Sequence, residues 1–196
     1  MATFPQHLTR LFRRFAHRED GVMVAEVILV LPVFIFCIVG CYTYWDAFRS
    51  LNSAQKATYT VSDMLAREMQ PVNDTYLRGL HDVMEYMMGD ELPVDMRISS
   101  ITFSGVRNQF EVEWSRSPYN EMPELDTTSL QPLTQYIPIL ADGDSVILME
   151  TNVDFVPAFA ASPKFSMYVG DQEFQQFIVT RPRFIPRICL EGVACG

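Results

Sequence analysis

Between Val22 and Trp45 lie 24 positions with a single charged side chain, Glu26. At the ~1.5 Å rise of a helix such a run is roughly 36 Å long, enough to cross a bilayer core of ~30 Å with some tilt. A charge inside it is costly. Insertion scales put Asp, Lys or Arg at about 2.5–3.5 kcal/mol at the centre of a span, and less near an edge. An acid kept in this run therefore points to a task beyond spanning.

The flanks set an orientation. Arg10, Arg13, Arg14, His17 and Arg18 precede the run, followed by Glu19, Asp20 and Gly21, whereas Asp46, Arg49 and Lys56 follow it. The basic side is N-terminal, so the positive-inside rule assigns residues 1–21 to the cytoplasm and everything after Trp45 to the far side. Tyr42, Tyr44 and Trp45 fit an aromatic belt at that far interface. A secretory signal peptide has a shorter apolar region and a small-residue cleavage site, which Gly40-Cys41-Tyr42 matches poorly. A plain signal anchor needs only apolar length and a basic flank. It accounts for everything here except the location of Glu26.

Arg14-Phe-Ala-His-Arg-Glu-Asp-Gly21, then Val-Met-Val-Ala-Glu26, then an apolar run containing Leu31-Pro32, resembles the start of TadE-like pilus assembly proteins. These are minor pilins, or pseudopilins, of the bacterial tight-adherence pilus, a relative of type IV pili. The resemblance covers about residues 10–60. It implies that a membrane-embedded aspartyl prepilin peptidase cuts after Gly21, leaving Val22 as the new N-terminus and Glu26 as the fifth residue. Val27 departs from the Tyr that usually follows the glutamate in this family. The implied partners are other pilin subunits, the peptidase and an inner-membrane assembly platform, besides membrane lipid.

Physical chemistry gives each of these positions a reason. A Gly before the scissile bond lets a protease hold the backbone extended. Cleavage creates an α-amine of pKa ~7.7–8.0, largely charged at neutral pH. Glu26 of one subunit can then pair with the Val22 amine of a neighbour, and removing one partner of such a buried pair typically costs ~3–5 kcal/mol. The pair would set subunit register. The competing reading leaves Glu26 near the cytoplasmic interface, reaching water.

Pro32 removes one helical hydrogen bond within the span, so a kink or local loosening is expected. In type IV pilins a proline in this region accompanies a helix that melts on assembly, and proline is also simply commoner in membrane helices. Cys37 and Cys41 lie one turn apart and share a face. Packing as small hydrophobes is their default role.

Beyond Trp45 the helical pattern continues. Phe48, Leu51, Ala54, Thr58, Val61, Leu65 and Met69 recur at three- and four-residue spacing, with Arg49, Asn52, Lys56, Asp63 and Arg67 on other faces. Pro71 ends the pattern. One helix is therefore expected over Val22–Met69, transmembrane in its first half (22–45) and amphipathic in its second (46–70). A second helix is expected over Thr75–Met88, capped by Asp74 and stopped by Gly89.

The rest reads as strands. Val94, Met96 and Ile98 alternate with polar neighbours, as do Phe110, Val112 and Trp114, and Ser104–Asn108 can turn the hairpin. Ser145–Phe155, introduced by the turn Asp142-Gly-Asp144, and Glu173–Thr180 are further strands. Four prolines mark residues 117–143 as a long irregular loop, and residues 157–171 read similarly. The expected fold class is α+β, a small antiparallel sheet laid on the amphipathic part of the long helix. Counted from Pro71, this head has 126 residues, which suits one domain.

Cys189 and Cys195 close a short loop on the side expected to be periplasmic, where a disulfide is favoured and contributes ~2–3 kcal/mol. Two thiols without a nearby His do not make a metal site. The chain carries −9 overall, and its four Arg against Glu19 and Asp20 leave residues 1–21 at +2 and the remainder at −11. That acidity argues against nucleic-acid binding. Arg181, Arg183 and Arg187 read as a solvated or internally paired edge, with docking onto an acidic neighbour as the alternative. No phosphate loop, nucleophile elbow or zinc-spacing motif is present. His7 and His17 lie in the leader, and His81, on a helix, reads as surface or packing. No catalytic residue, metal or cofactor is expected. The expectation is a non-enzymatic minor pilin or assembly component, with an uncleaved single-pass anchor carrying a periplasmic interaction domain as the alternative. A membrane-tethered enzyme would require a cleft with convergent polar groups.

Overall fold

The computed structural model describes residues 20–89, 93–155, 172–193 and 195, with Asp20, Gly21, Val22 and Gln172 described by backbone alone. Residues 1–19 of the expected leader and the irregular stretch expected over 157–171 lie outside the described residues. The chain divides into two compact units after Trp45.

Helix α1 runs over Asp20–Ala66 without interruption, Pro32 included. A proline removes a single i→i−4 bond, and here the turns on either side stay helical. From Asp46 onward α1 is one-sided. Ala54, Ala57, Thr58, Val61, Ser62, Leu65 and Ala66 are buried, the i, i+3, i+4, i+7 stripe of a helix laid on a core. Phe48 and Met69, expected on the same face, are exposed. The helix stops at Ala66, three residues before the expected end at Met69. Two i→i+3 bonds, Arg67 N–H to Met64 O at 3.3 Å and Glu68 N–H to Leu65 O at 3.0 Å, tighten its last turn. The Arg183 N–H then satisfies the Ala66 carbonyl at 2.9 Å.

Helix α2 spans Asp74–Met88 and turns Leu77, Leu80, His81 and Met84 inward. Its cap is Asn73, not Asp74. The Asn73 side chain accepts from the Tyr76 N–H at 2.9 Å, while Asp74 supplies the acidic residue of the first turn. Either Asx residue can cap, and backbone geometry chose the earlier one, which sits in extended conformation. Gly89, at φ 85°, ends the helix.

Four antiparallel strands follow, β1 (Val94–Ser104), β2 (Gln109–Arg116), β3 (Ser145–Phe155) and β4 (Gln172–Thr180), in the spatial order β2-β1-β3-β4. The long inner strands pair from Val94 with Val153 to Thr102 with Ser145. Alternation divides their side chains between two cores. Met96, Ile98, Ile147, Met149 and Val153 join α1 and α2, whereas Ile101, Val146 and Leu148 join Leu125, Leu130, Ile137 and Leu140. The 117–143 segment is therefore a second covering layer and not merely an irregular loop. Within it lie a short helix α3 (Thr127–Leu130) and a 3₁₀ turn (Gln131–Tyr136). Asp126 and Ser129 form a reciprocal capping box at the start of α3. A lid on the second face also explains why the polar positions Arg97 and Ser99 of β1 are buried.

The buried polar groups of this sandwich are largely paired, as their desolvation requires. Thr58 of α1 meets Thr151 of β3 at 3.0 Å, and Ser62 meets Thr180 of β4 at 2.7 Å. Arg97 donates to Glu150 at 2.8 Å and to the Pro123 carbonyl at 2.7 Å, fastening the lid to the sheet. Gly143, at φ 80°, makes the turn before β3, and Asp142 beside it accepts from the Gly105 N–H at 2.6 Å.

Residues 181–195 close the head. Val72 exchanges backbone bonds with this segment, donating to Cys189 O at 2.9 Å and accepting from Glu191 N–H at 2.8 Å. The Trp114 indole donates to Ile188 O at 2.8 Å, and Ser145 donates to Pro186 O at 2.6 Å. The disulfide joins Cys189 and Cys195, as their spacing and expected compartment indicated. Arg181, Arg183 and Arg187 are internally paired, with Asp144, Asp63 and Glu113 respectively.

Leu65 is fully buried where α1 meets the sheet. Leu65→Ala should lower the stability of the full chain in detergent by about 2–5 kcal/mol, read as a shift of the urea midpoint. Asp95 gives a pH signature. Burial, then the Asp154 and Glu173 carboxylates, push its acid above the usual range, only partly opposed by His81. A folded-state pKa raised above the unfolded one favours folding at low pH and loses that contribution as pH rises through the folded value. Asp95→Asn should therefore raise the melting temperature at pH 7, with the difference from wild type vanishing below about pH 4, the unfolded carboxyl value.

Candidate membrane and assembly segment

The first half of α1 contrasts with the second. Met23–Ala66 is long and apolar enough to cross a membrane, and none of its most apolar 18-residue window is buried. Leu29 is 74% exposed and Phe34 60%. Large aliphatic and aromatic side chains at this exposure, apolar all round the helix, require lipid or other protein as their surroundings. Thr43 donates its hydroxyl back to Val39 O at 2.9 Å, which satisfies the polar atom within the helix itself. The rings of Tyr42 and Trp45 stand 5.9 Å apart at the C-terminal end of the run.

Glu26 does not sit on a separate polar face. Met23, Glu26, Val27, Val30, Leu31 and Phe34 line one shallow groove, and their numbering follows the i, i+3, i+4, i+7, i+8, i+11 progression of a single helical stripe. The carboxylate thus interrupts an apolar ridge. Among the described residues it has neither an ion-pair partner nor a hydrogen-bond donor. The span offers nothing within itself to neutralise this charge.

The expected cleavage pair, Gly21 and Val22, lies at the start of the described residues, where the backbone is helical from Asp20 on. Val22 and Glu26 are one helical turn apart in the same chain, on one face. Cys37 and Cys41 are free thiols and exposed, so the packing expected of them has no partner within the described chain.

In the head, a cleft of about 540 Å³ opens beside the lid, lined by Arg97, Met122, Tyr136, Glu150, Gln176 and neighbouring residues. Its charges, Arg97 and Glu150, are paired with each other at 2.7 Å. Among the described residues that line it there is no His, Cys, Ser or Thr. His81, read from sequence as a surface or packing residue, is 1% exposed, and its Nε2 lies 2.8 Å from the Val94 carbonyl. Sequence gave no signal for that burial beyond the helical spacing of Leu77, His81 and Met84.

No protein-family model matches this chain, and neither a curated protein nor a solved structure does.

Proposed function

We propose that this chain is a minor pilin or assembly component of a tight-adherence-type pilus, non-enzymatic, and that it assembles through the Val22–Trp45 part of α1. The observation that carries the proposal is Glu26. It is the single charge in the run, it stands on an apolar stripe, and it is four residues beyond the residue that a cut after Gly21 would expose as an amine. A membrane anchor has no use for a carboxylate without a partner among the described residues at that position, because insertion is costlier with it. A filament does, since a neighbour's α-amine can meet it in an apolar bundle.

In this reading residues 1–21 face the cytoplasm and the head lies in the periplasm, reaching the cell exterior within a pilus. The Cys189–Cys195 disulfide supports an oxidising compartment for the head. Partners are other pilin subunits, the prepilin peptidase, the inner-membrane assembly platform and lipid. An uncleaved anchor bearing a periplasmic interaction domain is the alternative, and Val27, in place of the family's Tyr, is the residue that favours it.

Intact mass and N-terminal sequencing of the protein from its native membranes separate the two. A chain beginning at Val22 is expected, and one that retains residues 1–21 while the peptidase is present would support the anchor. Glu26→Gln should leave membrane insertion unchanged and reduce piliation severely; normal piliation in that variant would rule out the register role.

A further inference from the structure

The middle of α2 holds a second charged arrangement, independent of how the N-terminal segment is used. The Nε2 of His81, 2.8 Å from the Val94 carbonyl, must carry a proton, because a carbonyl oxygen only accepts. In the neutral ring Nδ1 is then the lone-pair atom. That atom is buried and lacks any hydrogen-bond partner, in a side chain 1% exposed. It points at Asp82 Oδ1 and Glu85 Oε2, each 3.9 Å away. Three acceptors therefore converge with no donor among them.

An unsatisfied buried acceptor costs about 1–3 kcal/mol, and the two nearby carboxylates add repulsion to it. A cation between the three atoms reverses the sign of every one of these contacts. We propose that His81 Nδ1, Asp82 and Glu85 form a three-ligand site for a divalent transition-metal ion, Zn²⁺ being the best fit. The donor set is a neutral imidazole and two carboxylates, which balances a 2+ charge and suits zinc or a related borderline ion. The three ligand atoms lie within 4.8 Å of one another. Metal–ligand distances of about 2.0–2.2 Å require the set to contract. The imidazole is held fixed, whereas Asp82 and Glu85 are 62% and 45% exposed and free to rotate inward.

The surroundings have the form of an outer coordination shell. The Val94 carbonyl fixes the tautomer and the ring orientation, and Glu121 Oε2 lies 3.3 Å from the same Nε2. A carbonyl or carboxylate on the far nitrogen is the usual partner of a metal-bound histidine. Tyr119 packs edge-on against the imidazole at 4.8 Å between centroids and donates its hydroxyl to Asp82 at 2.9 Å. The exposure of Asp82 and Glu85 leaves an ion held there within reach of water.

The test uses the chelator-treated full chain in detergent, titrated with zinc chloride by calorimetry and followed by ¹⁵N NMR of the imidazoles. One ion should bind with micromolar or tighter affinity. Asp82→Asn and Glu85→Gln, both exposed and compatible with the fold, should each weaken it at least about 10-fold. Saturating zinc should shift the His81 Nδ1 resonance while Nε2 keeps its proton. The proposal fails if no saturable binding occurs up to millimolar zinc, if the two variants bind as tightly as wild type, or if Nδ1 carries a proton at saturation.

Discussion

Everything in the head depends on one contact, the small-residue stripe of α1 against the inner strands. Ala54, Ala57, Val61 and Leu65 lie over Met96, Ile98, Ile147 and Met149, all essentially solvent-free. Burying each of the larger side chains contributes about 1.5–3 kcal/mol. The alanines matter differently, by letting the helix approach closely enough for Thr58 and Ser62 to reach Thr151 and Thr180. Those two hydroxyl pairs fix the helix along its own axis, because a slip of one residue would unpair both and leave the buried Thr151 and Ser62 hydroxyls without these partners, although Thr58 would keep its bond to Ala54 O. Hydrophobic burial sets the face, and hydrogen bonding sets the register.

The same helix changes the kind of surroundings it needs near Trp45. Before that point its side chains are almost all apolar and unburied; after it, the buried residues from Ala54 to Ala66 keep to one side. An uninterrupted helix from Asp20 to Ala66 carries both halves, so the change is written in side chains and not in the backbone. Pro32 fits this arrangement, since a single lost hydrogen bond is compatible with continuity.

Much of this architecture was legible because it is periodic. The apolar run, the three-four spacing after Trp45, the alternation in β1 and β2, and the bounds Ser145–Phe155 of β3 all follow from patterns local to the chain. What escaped was non-local. Residues 117–143 look like a loop by their prolines, yet Leu125, Leu130, Ile137 and Leu140 cover the second face of the sheet. No window of sequence shows which surface a leucine in a proline-rich segment will meet, although Asp126 and Ser129 do carry a local capping signal. The choice of Asn73 over Asp74 as cap turned on backbone conformation, and the early end of α1 turned on Arg183, which is distant in sequence. For the candidate site, Glu26 stood out as a lone charge among apolar neighbours, and the structure added its place on one stripe. The acceptor cluster at His81 was invisible, because it needs Val94 and Glu121 to fix the ring.

The C-terminal segment has a consequence for how the head comes into being. Ala66, Val72, Trp114 and Ser145 each receive a hydrogen bond from, or give one to, residues between Arg183 and Glu191. Both the end of α1 and the start of α2 thus wait on residues made more than a hundred positions later. These particular contacts can form only after residues 183–191 have been made, so the two helix ends are the late-closing part of the head. The Cys189–Cys195 bond then ties the end of that segment into a short loop.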